Sequence, residues 1–202
     1  MPTNSARTFI ALPIPETQRT RLGRLQSLLA PDLPGARWVT PDQFHLTLAF
    51  LGDVPDLDLA PVCRAVKEAA SAFPRLTLNL QSLGAFPDPE RPRTVWVGLG
   101  GPDFEALLAL QAAIAEAVAE VGYPTDEDRF TPHITLGRLK GSKSGDPSTD
   151  LTRQVAHFRT WSAGNFEAAQ VVAYASTLTP EGPAYMTLAT TPLKSPKRRS
   201  DA

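Results

Sequence analysis

The chain has 202 residues, enough for one well-filled core or for two small lobes packed together. Its 20 basic side chains stand against 21 acidic ones, a balance that argues against a protein coating long stretches of nucleic acid. The lone cysteine, Cys63, excludes an intramolecular disulfide. No apolar run approaches the roughly 20 residues that span a bilayer, so a soluble, cytoplasmic protein without a membrane partner is expected.

In chain order, Thr8 to Leu12 reads as a short buried strand closed by Pro13 and Pro15. Leu22, Leu25, Leu28 and Leu29 then recur at helical spacing between Glu16 and Ala30. A strand from Phe44 to Leu51 ends at Gly52-Asp53. A helix follows with Val62, Val66, Ala69 and Phe73 on one stripe, and Leu76, Leu78 and Leu80 alternate with polar residues as in a half-buried strand. Loop signals at Pro87, Pro89 and Pro92 close the first half.

The second half repeats the plan. Val95 to Leu99 is an apolar strand, and Gly100 to Asp103 turns into a helix whose buried face is Phe104, Leu107, Leu108, Ile114, Val118 and Val121. A strand from Pro132 to Leu139 leads into an exposed Gly-, Ser- and Lys-rich loop, Lys140 to Pro147. A short helix near Leu151 to Phe158 and strands around Phe166 to Ser176 and Ala184 to Thr191 complete the domain, residues 1–193. Residues 194–202 are basic, polar and broken by proline, the composition of a disordered tail.

Two segments say nearly the same thing: His45-Leu46-Thr47-Leu48 and His133-Ile134-Thr135-Leu136. Side chains alternate along a strand, so His45 shares a face with Thr47, and His133 with Thr135. Phe44, Leu46, Leu48 and Phe50 are then expected to point into the core. From 45 to 133 is an offset of 88, and the same shift carries Phe9 to Leu12 onto the apolar strand that opens the second half. The repeat of strand, helix, histidine strand and helix points to an α+β fold. Two similar lobes, each an antiparallel-rich sheet with outer helices, would be related by a pseudo-two-fold axis, with a cleft between them holding both histidine strands.

Two imidazoles titrating near pH 6.5 suit in-line displacement at phosphorus, in which one removes a proton from the attacking oxygen and the other protonates the leaving oxygen. The threonine hydroxyls are donors for the equatorial phosphate oxygens. No metal or other cofactor is called for, since the sequence has no ligand cluster, Cys-rich motif or Gly-rich phosphate loop.

The paired H-x-T-x motifs resemble those of the two-histidine (2H) phosphoesterases, and in particular the RNA 2′,3′-cyclic phosphodiesterase branch, also called the 2′-5′ RNA ligase family. Arg7 to Leu12, the segment from Pro92 to Gly98 with Trp96, and Gly182 to Tyr185 extend the resemblance over the chain up to about Leu193. The resemblance implies hydrolysis of a terminal 2′,3′-cyclic phosphate on RNA to a 2′-phosphomonoester, with reversible 2′-5′ ligation as a side reaction. It implies His45 as proton donor and His133 as proton acceptor, with Thr47 and Thr135 on the phosphate. Arg138 matches a phosphate-binding arginine, but a regular strand would turn it away from His133, so that role needs a bend at Gly137.

A lone histidine in a strand is usually a packing residue; duplication is what lifts His45 and His133 above that reading. His157 has no partner motif and is read as structural. Trp38, Trp96 and Trp161 are read as core or lobe-interface residues and Tyr185 as core, although any of them, or Phe50, could stack on a base; Arg37, Arg91, Arg93 and Arg129 could rim the cleft, but scattered surface charge is the simpler account. The rival functions are a non-catalytic module that holds RNA ends or nucleotides, and a phosphodiesterase for 2′-5′ oligonucleotides or other small cyclic nucleotides. The expected partner is an RNA end or a small nucleotide; no obligate protein partner is implied, and the chain is expected to be a monomer.

Overall fold

The computed structural model describes residues 4–125, 130–139, 151–179 and 182–195. Arg129, the Lys140 to Pro147 loop and the chain beyond Ser195 lie outside the described residues. Among the described residues the strands are Ser5–Pro13 (β1), Ala36–Trp38 (β2), His45–Pro55 (β3), Leu76–Phe86 (β4), Thr94–Gly100 (β5), His133–Leu139 (β6), Ser162–Ala168 (β7), Gln170–Thr179 (β8) and Gly182–Pro192 (β9). The helices are Glu16–Leu29 (α1), Asp56–Ala70 (α2), Phe104–Glu120 (α3) and Thr152–His157 (α4), with a 3-10 turn at Pro41–Gln43 just before β3.

The strands form two antiparallel sheets, in the orders β3-β1-β8-β9 and β2-β6-β5-β4-β7. β3, β1, β8 and β9 of the first correspond to β6, β5, β4 and β7 of the second, and β2 is added outside β6. The lobes are therefore not the two sequence halves. β4 belongs to the first half of the chain yet pairs with β5, while β8 belongs to the second half and pairs with β1. Each half lends a strand to the other's sheet. This exchange is why the single strand expected from Phe166 to Ser176 is two: the chain breaks at Ala169, so that β7 joins β4 and β8 joins β1.

Packing follows the apolar patterns. Leu76, Leu78 and Leu80 are buried along β4, as their alternation requires. On α3 the buried stripe is Leu107, Leu110, Gln111, Ile114 and Val118, rotated slightly from the expected one, so Val121 is exposed. Phe73 falls beyond the end of α2, whose buried residues are Val62, Val66 and Ala70. One contiguous buried cluster joins both sheets, including Leu12, Leu46, Leu78, Val97, Leu110 and Ile134. Cutting any of these large side chains to alanine should cost about 2–5 kcal/mol. The chain end is tied in as far as Lys194, which accepts from Arg75 N and donates to Phe73 O.

Candidate active site

The two histidine strands meet where the lobes meet, β3 packing against β6. Each histidine begins its strand, and each is held the same way. His45 Nδ1 lies 2.7 Å from Gln43 O, and His133 Nδ1 lies 2.8 Å from Thr131 O. A carbonyl oxygen only accepts, so Nδ1 must carry the hydrogen in both rings. That leaves each Nε2 free to accept a proton when the ring is neutral, or to donate one when it is charged. Thr47 and Thr135 stand on the same faces, half-buried, and neither hydroxyl has a hydrogen-bond partner among the described residues.

Past the threonines both strands break their alternation. On β6, Thr135 pairs with Trp96 and Gly137 with Val95, leaving Leu136 as an extra residue. On β3, Thr47 pairs with Ala11 and Ala49 with Ile10, leaving Leu48 as the extra residue. An added residue reverses which side chains face which way. Arg138, opposite Thr94, therefore returns to the face that carries His133 and Thr135 and is exposed. The bend that Arg138 needed is this bulge, with Gly137 next to it; a Cβ on Gly137 would come within 2.9 Å of the Trp38 ring. By the same device Phe50 does not enter the core as expected. It pairs with Phe9 on the face of His45 and is 62% exposed.

Each bulge leaves a carbonyl to satisfy, and a buried glutamine from the other half of the chain does so. Gln26 of α1 donates to Leu136 O at 2.8 Å and to Val39 O at 2.8 Å. Gln111 of α3 donates to Leu48 O at 3.3 Å. Sequence reading missed both, although each is a polar residue at a position where its helix presents apolar ones inward.

Aromatic rings line both histidines. Phe9 lies 4.8 Å from the His45 ring centre, with Tyr185 edge-on at 5.4 Å. Phe86 stands edge-on to His133 at 5.0 Å, with Trp96 at 6.1 Å. Tyr185 and Trp96 thus line the site, which the sequence allows but does not choose, rather than serving only the core. The bare Gly84 on β4 makes room for Trp96, whose ring would otherwise lie 2.2 Å from a Cβ there. His157 touches Phe158 on α4, away from these rings.

Burial lowers the pKa of both histidines, because desolvation disfavours the charged ring. The Nδ1 hydrogen bonds oppose that shift, and the positive charge of Arg138 adds to it at both rings. The charge of His133 lowers His45 further. Arg138 also acts on Tyr185, so one guanidinium is within electrostatic reach of both histidines and the tyrosine. The site at rest favours neutral imidazoles beside a fixed cation. Such a cleft is made for an anion, which would raise both pKa values on entering. Among the described residues no group of three or more His, Cys, Asp or Glu is placed to hold a metal ion, and no helix is long and apolar enough to cross a membrane.

The chain and its fold are similar to those of known proteins. The family model described as LigT like Phosphoesterase matches the chain twice, over residues 12–96 and 100–185. From 12 to 100 is again an offset of 88, the separation of His45 and His133, so the duplication read from the layout is a duplication of the family unit. The RNA 2′,3′-cyclic phosphodiesterase of Aeropyrum pernix is 34% identical over 170 residues, which cover 83% of this chain and 92% of that protein. The one from Archaeoglobus fulgidus is 30% identical, covering 90% and 97%. Among solved structures, TT0787 of Thermus thermophilus superposes with a TM-score of 0.77 at 27% identity, over 94% of this chain and 98% of that one. Apo LigT of E. coli superposes with a TM-score of 0.72 at 25% identity, over 94% and 98%. With its two lobes, its paired motifs and its double match, the chain belongs to the LigT-like phosphoesterase family of two-histidine phosphoesterases.

Proposed function

We propose that this protein hydrolyses the 2′,3′-cyclic phosphate at an RNA end to a 2′-phosphomonoester, without a metal ion, through His45 and His133. The observation that carries this reading is the mirrored pair of imidazoles, each donating Nδ1–H to the carbonyl two residues upstream and each with Nε2 unpartnered among the described residues. The names of the relatives supply the substrate class. E. coli LigT has been crystallised with 3′-AMP, a nucleotide that pairs a ribose with a 3′-phosphate.

In the reaction, water attacks phosphorus in line with the P–O3′ bond. His133 Nε2 takes the proton that water loses, and the P–O3′ bond breaks as the new P–O bond forms. His45 Nε2 gives its proton to O3′, so the products are a 3′-hydroxyl and a 2′-phosphate. A proton from His133 to solvent and one from solvent to His45 restore the enzyme. Thr47, Thr135 and Arg138 hold the non-bridging oxygens, where charge gathers in the transition state. Before substrate binds, burial first and then the charges of His133 and Arg138 keep the His45 pKa low. For His45 to serve as donor, the phosphate's own negative charge must draw a proton onto it. With a 5′-hydroxyl in place of water the same two transfers give a 2′-5′ linkage, so ligation is a side reaction of the same site.

An oligonucleotide bearing a 2′,3′-cyclic phosphate, incubated with the protein in excess EDTA, should be converted to the 2′-phosphate. No conversion with chelator, and conversion once a divalent ion is restored, would overturn the mechanism. The direction of proton flow is read with catechol cyclic phosphate, whose phenolate leaves without a proton. His45→Ala should recover much of its activity on that substrate, and His133→Ala should not.

A further inference from the structure

A cavity of about 530 Å³ opens beside His45. It lies within the range of about 300–1,000 Å³ that holds small organic ligands and is larger than a cyclic phosphate alone requires. Its walls include Arg19 from the first turn of α1, Asp42 and Gln43 from the turn before β3, and Tyr174 and Tyr185 from the β8–β9 hairpin.

The polar groups of this wall are not equivalent. Gln43 is spent on structure: its backbone carbonyl accepts from the His45 ring, and its amide donates to Pro183 O. Arg19 is not. Its Nε is shut off from solvent without an acceptor, and its guanidinium has no ion-pair or hydrogen-bond partner among the described residues. Asp42 lies exposed at the rim, outside ion-pair distance of Arg19. The shielded Nε marks a side chain held in place by its packing, and the terminal guanidinium nitrogens, unpartnered among the described residues on a side chain that lines the cavity, are the donors an incoming anion can reach. The planar fork of donors matches a phosphate.

We propose that this cavity is a second phosphate subsite, in which Arg19 pairs with the phosphate on O5′ of the nucleotide whose 2′,3′-cyclic phosphate lies between the histidines. The inference rests on the reading of the site given above and extends it to how an RNA chain is told from a mononucleoside. The leaving O3′ is assigned to the side of His45, so the ribose lies nearest the cavity that His45 borders. The next charge along an RNA chain, one ribose away, is the phosphodiester on O5′. A nucleoside 2′,3′-cyclic phosphate lacks that group and leaves Arg19 unpaired. The subsite therefore favours an RNA end over a free cyclic nucleoside phosphate.

Three substrates test this: adenosine 2′,3′-cyclic phosphate, its 5′-phosphorylated form, and the dinucleotide ApA with a 2′,3′-cyclic phosphate. Arg19→Gln should raise KM roughly tenfold for the two that carry a phosphate on O5′, leave their kcat unchanged, and leave both constants unchanged for the first. Arg19→Lys should show the same selectivity with a smaller rise, and it carries the test if the glutamine variant fails to fold. Equal effects on all three substrates would make Arg19 a structural residue and overturn the proposal, as would no effect on any. Sensitivity confined to the dinucleotide would move the contact to the second nucleoside and overturn the phosphate assignment. A wild-type protein that turned over none of the three would remove the phosphodiesterase reading and the subsite with it. Turnover of all three with no selective effect of Arg19 would remove the subsite alone.

Discussion

The two histidine strands began as copies, and the places where they still agree differ in kind from the place where they do not. β3 and β6 share the histidine, the carbonyl bonded to its Nδ1, the threonine, the bulge after it, and the buried glutamine that caps the bulge. They part at the residue the bulge brings back to the cleft, which is Phe50 in one lobe and Arg138 in the other. In-line displacement at phosphorus has an entering and a leaving oxygen that make matching demands, so a two-fold pair of imidazoles serves both. The rest of the substrate has no such symmetry. One lobe supplies charge and the other an apolar ring.

The symmetric part is broken most severely by removing an imidazole. His45→Ala and His133→Ala should each lose at least about 1,000-fold in kcat/KM on an RNA cyclic phosphate, with the fold intact by circular dichroism. On the proposed mechanism each serves one half of a concerted transfer, so the double variant should be little worse than either single one. A single variant near wild-type rate would end the acid–base assignment.

The asymmetric part is sharpened by Arg138 and Phe50. Removing one charged donor to the phosphate should cost about 100- to 1,000-fold in kcat, so Arg138→Gln is expected to fall in that range. It should also move the pH profile. Burial does most to hold both histidines below their usual pKa and the Arg138 charge adds to it, so without that charge both rise part of the way and the pH of maximal kcat/KM shifts upward. Phe50→Ala removes no charge and should leave the position of that maximum where it is. An unmoved profile in Arg138→Gln would separate the guanidinium from the histidines. The threonines come next: Thr47→Ala and Thr135→Ala should each lose about 10- to 100-fold in kcat through a missing neutral donor. Neither should unfold the protein, since both hydroxyls lack partners among the described residues. Unchanged kinetics in both variants would leave them as strand formers.

The repeat was legible because period-two alternation and a shared offset are local properties of sequence. The same rule failed wherever one residue was inserted. Regular alternation turned Phe50 into the core and Arg138 away from His133, because nothing in the residues before Ala49 or Gly137 marks a bulge. Tyr185 and Phe86 could not be assigned to the histidines for a different reason. They arrive from strands distant in the chain, β9 and β4, and β4 crosses to the other lobe's sheet. Alternation within a strand does not say which sheet it will join.

The bulges also set the smallest effect expected here, and the one that best tests whether they are held from outside the strand. Gln26 reaches Leu136 O from α1, and Gln111 reaches Leu48 O from α3, each across to the other half of the chain. Replacing either by leucine leaves a buried carbonyl short of a donor, although Leu136 O also accepts from Val39 N. A loss of about 1–3 kcal/mol in stability is therefore expected for each, since Gln26→Leu also takes the donor from Val39 O. The functional effects should differ by lobe. A loosened bulge on β6 misplaces Arg138, so Gln26→Leu should lower kcat several-fold and shift the pH maximum upward, a weak copy of Arg138→Gln. A loosened bulge on β3 misplaces Phe50, which carries no charge, so Gln111→Leu should destabilise the fold without moving the pH maximum. Denaturant titration and a pH–rate profile on the two variants measure both effects. Identical profiles in the two would mean that the bulges hold their shape without the glutamines, and that the asymmetry between the lobes resides in Arg138 and Phe50 alone.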